Sequence, residues 1–314
     1  MKKTILITGS SGQIGTNLIQ KLVKDGLHYI GLDIRENTWD DSIPTRLIDL
    51  TKGVSEEVLP ADTQIDLVVH FAAHAKVHQS VVDPSKALEN ISMTFHALEI
   101  SRKFKVPFIL ASSREVYGEQ ARETFREEDI SMEAESPYTA SKISSEAMVR
   151  AYSKCYDINH IIFRFSNVYG RFDDDIDRLE RVIPLFIKKI SQGEEITVYG
   201  PEKSLDFTFV DDCVGGIYLG ITKLLSGEIE TGTFNLSYGE ARTLGRLVEL
   251  IAENLEIEAK VTIEPVRVGE ISHYVANLEN SRSVLGYDPQ TPLEEGLRRM
   301  ISRSHKAVLS DAIK

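Results

Sequence analysis

The stretch from Thr4 to Gly26 restricts the fold more than any other in the chain. A short β-branched run, Thr4-Ile5-Leu6-Ile7-Thr8, ends at Gly9. Gly9, Gly12 and Gly15 then stand in Gly-x-x-Gly-x-x-Gly, and a helical pattern follows and closes at Gly26. Strand, glycine turn and helix N-terminus in that order make an anion site. The glycines let backbone N–H groups approach a pyrophosphate, and the helix dipole favours its charge. A second apolar run, His28 to Leu32, ends at Asp33, 18 residues beyond Gly15. A carboxylate at the tip of the second strand accepts hydrogen bonds from the adenosine ribose and repels a 2′-phosphate, which favours NAD over NADP. Arg35, two residues on, is either a solvated loop charge or the one feature that leaves NADP open.

The pattern then alternates. A short third strand near Leu47-Ile48 ends in Asp49-Leu50, and a fourth, from Ile65, runs through His70-Phe71 to Ala72-Ala73. Those small alanines at a strand end let the chain pass close under a ligand, while His70 reads as a structural residue. His74, Lys76 and His78 are expected in a loop and match no metal-ligand spacing. A helix from about Pro84 to Phe104 follows, with Asn90 read as a surface amide. The strand Val106 to Ala111 delivers Ser112-Ser113-Arg114-Glu115-Val116-Tyr117-Gly118. After an acidic loop, a helix from Tyr138 to about Tyr156 precedes a strand from Ile158 to Phe165. This rhythm predicts an α/β fold with a Rossmann-type, doubly wound parallel sheet. Such sheets bind ligands at the carboxyl ends of their strands, where Gly9, Asp33, Ala72, Ser113 and Asn167 all fall.

Beyond residue 166 the rhythm changes. Asn167 to Arg171 reads as a loop and Asp173-Asp174-Asp175 as an acidic turn, with a helix over about Leu179 to Gln192. Strands are expected at Glu195–Gly200 and Leu205–Val210, the latter closing on Asp211-Asp212 as a helix N-cap. Thr233 to Leu236 returns to the sheet, and helices follow near Leu244–Asn254, Leu278–Leu285 and Pro292–His305. The expected division is a dinucleotide lobe of residues 1–165 and about 205–236. A smaller, interleaved lobe of about 166–204 and 237–314 would hold the substrate in a cleft between the two.

A net charge of −12 argues against nucleic acid and anionic membranes as partners, so an anionic substrate must be met by local donors. Cys155 and Cys213 match neither metal nor disulfide spacing, and no stretch approaches the roughly 20 apolar residues of a membrane span. A cytoplasmic protein is expected.

Chemistry is written in Tyr138-Thr139-Ala140-Ser141-Lys142. Tyrosine and lysine four apart share a helix face. A phenol is a poor base at neutral pH, but a nearby ammonium favours its ionised form. With a nicotinamide cation close by, Tyr138 would take a proton from a sugar hydroxyl as hydride leaves the same carbon.

Together these motifs make the chain resemble the extended short-chain dehydrogenases/reductases, specifically the NAD-dependent nucleotide-sugar epimerases and dehydratases. The resemblance rests on Thr8-Gly9-Ser10-Ser11-Gly12-Gln13-Ile14-Gly15, Asp33, Asp49-Leu50, His70-Phe71-Ala72-Ala73, Ser112-Ser113 through Tyr117-Gly118, and Tyr138 with Lys142. The 25 residues from Ser113 to Tyr138 match the interval in UDP-galactose 4-epimerases. It implies that Ser113 and Tyr138 contact the sugar hydroxyl at C4 and that Lys142 holds the nicotinamide ribose. It implies cofactor contacts from Gly9, Ser11, Gly12, Gln13, Ile14, Gly15, Asp33, Asp49, Leu50, Phe71, Ala72, Ala73 and Asn90. It implies substrate contacts from Asn167, Val198 and Arg267, and a homodimer through the helices of 84–104 and 136–156.

Two departures stand out. Leu205 replaces the arginine of the family's Arg-Asp-Phe, leaving Lys203 either as its substitute at the phosphates or as an exposed charge. Glu115 occupies a position that is small in most 4-epimerases but is glutamate in dehydratases and UDP-glucuronate decarboxylases. Before it stands Arg114, where 4,6-dehydratases carry an aspartic acid that helps expel water from C6. The leading expectation is C4 epimerisation of a UDP-hexose through a 4-keto intermediate. The rivals are a dehydratase or decarboxylase using Glu115 on that intermediate, and a non-catalytic NAD-binding regulator.

Overall fold

The computed structural model describes residues 2–55, 57–173 and 181–311, with side chains described through 302. Seven strands form one parallel sheet: β1 (Thr4–Thr8), β2 (His28–Asp33), β3 (Arg46–Leu47), β4 (Leu67–His70), β5 (Phe108–Ser113), β6 (His160–Phe165) and β10 (Thr231–Leu236). Their order is β10-β6-β5-β4-β1-β2-β3. From β1 the chain winds one way to β2 and β3, then returns to wind the other way through β4, β5 and β6. The crevice of such a sheet opens at that reversal, beyond the carboxyl ends of β1 and β4.

Both faces of the sheet are covered, so its central strands are buried along their whole length, as parallel strands require. The two-residue pleat sorts β1 between two layers. Ile5 and Ile7 face a core with Leu18 and Leu22 of α1 (Gln13–Lys24) and with Ile217 and Ile221. Leu6 points the other way, into a core with Ala97 and Leu98, and with Val149. Helix α2 (Val77–Val82) is short; α3 (Ser85–Phe104) carries Ala97 and Leu98, and α4 (Pro137–Tyr156) carries Val149. His78 therefore lies in a helix rather than the expected loop, and His74 pairs with Glu89 at 2.5 Å.

The second lobe is built on β7 (Asn167–Tyr169), β8 (Glu195–Tyr199), β9 (Ser204–Phe209), β11 (Ala241–Thr243), β12 (Lys260–Glu264) and β13 (His273–Tyr274). Strands β7, β9, β11 and β13 form one small sheet, and β8 pairs with β12. Helices α5 (Val182–Ser191) and α7 (Leu244–Leu255) complete it with α8 (Leu293–Asp311). Helix α6 (Val210–Ser226) packs against α1 and leads into β10. Within 205–236, then, β9 pairs in the small sheet while α6 and β10 join the large one.

Three local expectations fail because their partners are remote in sequence. Asn167 to Tyr169 is a strand rather than a loop, because β9 offers it a parallel neighbour. Asp212 is not a cap: α6 starts from Phe209, and the Asp212 carboxylate accepts from the backbone N–H of Gln290 and Thr291. The helix expected from Leu278 is a short segment around Ser281–Leu285, wound wider than an α-helix. Asp174, Asp175 and Leu179 lie outside the described residues. Both cysteines are free thiols.

Candidate active site

The glycine turn is tight for reasons the coordinates state. Gly9 has φ +72°, and a Cβ there would lie 2.7 Å from the Ala72 nitrogen and 2.8 Å from the Phe71 carbonyl carbon. A Cβ on Gly15 would meet the Gly9 oxygen at 2.4 Å. The turn thus brings the end of β1 against Phe71 and Ala72 at the end of β4. At the helix start, the Gln13 amide Nε2 is buried with no hydrogen-bond partner. Asp33 accepts from the Ser11 N–H at 2.9 Å. Burial raises its carboxyl, while that N–H and Arg35 draw it back down. Arg35 Nη2 turns inward to the Ser11 oxygen at 3.3 Å. A helix N-terminus, an unused amide donor and a strand-end carboxylate suit the pyrophosphate and ribose of NAD.

Of the other expected cofactor residues, Asp49 spends its carboxylate on its own turn, accepting from the Thr51 N–H and pairing with Lys52 at 3.0 Å. Leu50 beside it is buried. Asn90 is not a surface amide. It is buried, its Oδ1 accepts from His74 N–H at 2.7 Å, and its Nδ2 donates to the Ser141 hydroxyl at 3.2 Å. It ties the segment after β4 to α4. His70 is structural as expected: its ring bonds Thr8 and Thr94, and burial pushes it down to about 3.

Ser113 ends β5, and Tyr138 opens α4 one residue after Pro137. The Ser136 hydroxyl caps that helix, and the Tyr138 N–H donates to Ser80 at 3.0 Å, so two elements fix the tyrosine. The Ser113 side chain lies near enough to the Tyr138 phenol to draw its pKa down. Lys142 Nζ donates to the Ala111 oxygen at 2.8 Å and lies 5.7 Å from the Tyr138 ring centre. Serine, tyrosine and lysine thus converge as the sequence predicted, but the expected acidity is absent. Burial pushes Tyr138 up to about 12, against the pull of Ser113. Burial likewise pushes Lys142 down to about 8, partly offset by Glu146. In the chain alone desolvation outweighs the lowering influences of Ser113, Arg114 and Arg181 on the phenol.

The substrate side is rearranged. Arg114 and Glu115 are both buried and paired at 3.0 Å, and Arg114 Nη2 also reaches the Asn167 Oδ1 at 3.4 Å. Lys203 is no exposed charge; it is buried and bound to Glu270 at 2.7 Å. Arg267 lies 3.9 Å over the ring of Tyr199. Val198 is buried in the core of the second lobe rather than lining an open surface. Leu205 is buried too, and the neighbouring Asp206 accepts from the N–H groups of Tyr238 and Gly239 while burial pushes it up to about 7.

Sequence reasoning gave no role to Asp206 and missed Arg181. Arg181 Nη1 bonds the Val168 oxygen at 3.2 Å, Gln13 Oε1 and Asp173 at 3.1 Å. It ties the second lobe to the glycine turn, and no local pattern around it announces that.

The family model of the NAD dependent epimerase/dehydratase family matches residues 5–236. The chain belongs to that family. This nucleotide-sugar epimerase/dehydratase is 32% identical over 316 residues to an uncharacterised protein of Methanocaldococcus jannaschii, covering 95% of this chain and 94% of the other. Among solved structures it resembles a UDP-glucose 4-epimerase of Thermotoga maritima with UDP-glucose, at TM-score 0.88 and 27% identity over 97% of this chain and 99% of that one. A Thermus thermophilus UDP-glucose 4-epimerase in complex with NAD gives a TM-score of 0.86, with the same identity and coverage. Among the described residues, no helix of this family member is long and apolar enough to cross a membrane, and no cluster of ligands could hold a metal.

Proposed function

We propose that this enzyme is a 4-epimerase of a UDP-linked hexose. The observation that carries the reading is the convergence of Ser113 at the end of β5 with Tyr138 and Lys142 on α4, Lys142 Nζ lying 5.7 Å from the Tyr138 ring centre. The similarity to epimerases solved with UDP-glucose and with NAD supports it. The Gly9–Gly15 turn and Asp33 would hold NAD, which when bound would supply the acceptor and later the donor of hydride at sugar C4. Tyr138 takes the O4 proton and returns it after the 4-keto sugar has turned over. Ser113 holds that oxygen in line with the phenol. Lys142, pushed down to about 8 by burial, would hold the ribose and steady the developing phenolate.

Dehydration is less well served. Glu115 is engaged by Arg114, and an arginine at 114 cannot hand a proton to a departing hydroxyl. The same reading includes a homodimer through α3 and α4, where Leu88, Phe95 and Tyr156 are exposed. Sedimentation velocity should give a dimer at micromolar concentration, and a monomer would remove that part.

The decisive test is incubation with UDP-glucose, UDP-N-acetylglucosamine and UDP-glucuronate. Inverted C4 configuration at unchanged mass is expected; loss of water or carbon dioxide would transfer the case to the lyases. Tyr138→Phe should lower kcat by about 10³-fold or more, about 4 kcal/mol, with NAD still bound. A variant retaining a tenth of wild-type kcat would sink Tyr138 as the base. Binding of NAD with no turnover of any nucleotide sugar would favour a regulator.

A further inference from the structure

We infer that Arg114 and Glu115 form a charge-neutral clamp that selects sugars bearing hydroxyl or acylamino groups and turns away sugars bearing a carboxylate. The inference rests on the proposal that a nucleotide sugar reacts at Tyr138.

Two buried atoms of the pair have no partner in the protein: Arg114 Nη1, an N–H donor, and Glu115 Oε2, an acceptor. Both residues are at least nine-tenths buried, so water does not readily satisfy these atoms. They flank the reacting centre. The Glu115 N–H donates to the Ser113 hydroxyl oxygen, and both charges act on the Tyr138 phenol. Arg114 also reaches Asn167.

A hydroxyl or an amide both donates and accepts, and would satisfy the two atoms together. A carboxylate accepts only. It would complete Arg114 but meet Glu115 as a like charge in a poorly solvated place. The other cations that act here, Lys203 and Arg181, are each already paired with a carboxylate of the chain. Lys203 already faces Glu270, Glu119 lies near enough to act on Glu115, and Asp206 lies near enough to feel Arg114. At 205, where the family carries arginine, this chain has a buried leucine. Selection by a repulsive group of this kind is a common way to separate related ligands.

The test is calorimetric binding of UDP-glucose, UDP-N-acetylglucosamine and UDP-glucuronate to the NAD-loaded enzyme, with product configuration read in parallel. The wild type should prefer the two neutral sugars over UDP-glucuronate by about tenfold or more. Glu115→Gln keeps the shape but leaves Arg114 without its counter-charge, and should shift the glucuronate-to-glucose affinity ratio upward by about tenfold. Arg114→Met should shift the ratio the opposite way, which general damage to the pocket would not do. A wild type that prefers UDP-glucuronate, or a ratio that moves less than about twofold in both variants, overturns the clamp. Binding without an epimerised product would end the proposed reaction while the ratio still judges the clamp. Binding of none of the three sugars overturns both.

Discussion

Among the described residues two buried arginine–glutamate pairs, Arg164–Glu146 and Arg114–Glu115, differ in completeness. In Arg164–Glu146 every strong valence is used. Glu146 accepts from Ser112 at 2.6 Å, from two nitrogens of Arg164 at 2.9 and 2.8 Å, and from Arg150 at 2.9 Å. The remaining Nη1 of Arg164 donates to the Tyr117 hydroxyl and the Glu127 oxygen. This pair joins β6, α4 and the loop before α4, and its two-pronged geometry is the strong form of such contacts. Arg114–Glu115 joins adjacent residues through one ion-pair contact and leaves one donor and one acceptor idle. Burial and charge are common to both pairs. Unmet hydrogen bonding is what separates a ligand-facing pair from a strut, because a structural pair must repay its desolvation within the protein.

The sharpest way to break this comparison is to remove each arginine. Arg164→Met leaves Glu146 with only Arg150 and Ser112, and should cost about 3–5 kcal/mol by urea denaturation. Arg114→Met should cost less than about 2 kcal/mol, because it breaks a single ion-pair contact between adjacent residues rather than a two-pronged one. Equal losses would erase the distinction.

Acid titration should give a smaller effect, opposite in sign for the two glutamates. Burial works to raise Glu146, but the Arg164 hydrogen bonds and charge outweigh it and hold the carboxyl below 4.5. Its stabilisation is complete above that value and is lost as pH falls through the folded one. Burial raises Glu115 above 4.5 despite Arg114, so stability falls as pH climbs from 4.5 through its folded value. The stability deficit of Glu146→Gln should therefore shrink between pH 5 and pH 3. Glu115→Gln should gain on the wild type between pH 4.5 and pH 7. Parallel pH profiles would show the two carboxyls to be equivalent.

Much of the cofactor side was legible because it is local. Gly9 and Gly15 are spaced by the turn they make, Asp33 ends the next strand, and Tyr138 and Lys142 are one helical turn apart. The sugar side was less legible because its contacts bridge distant segments. Lys203 meets Glu270, Asn167 meets Arg114 and Asp206, and Arg181 meets Gln13, none of which shares a local pattern. Asn90, which the resemblance puts at the cofactor, owes its burial to contacts of the same kind: Ser141, its partner, lies on another helix.

The sequence alone determined the alternating parallel sheet, the anion-binding turn and the presence of a serine, tyrosine and lysine at its rim, since each depends on neighbours a few residues away. Tertiary structure alone decided how those groups ionise. Tyr138 stands at about 12 rather than below its usual value, because desolvation depends on everything packed around the phenol. It also decided that Arg114 faces Glu115 with hydrogen-bonding capacity to spare while Arg164 has none, because satisfaction is a sum over the whole surroundings of a side chain.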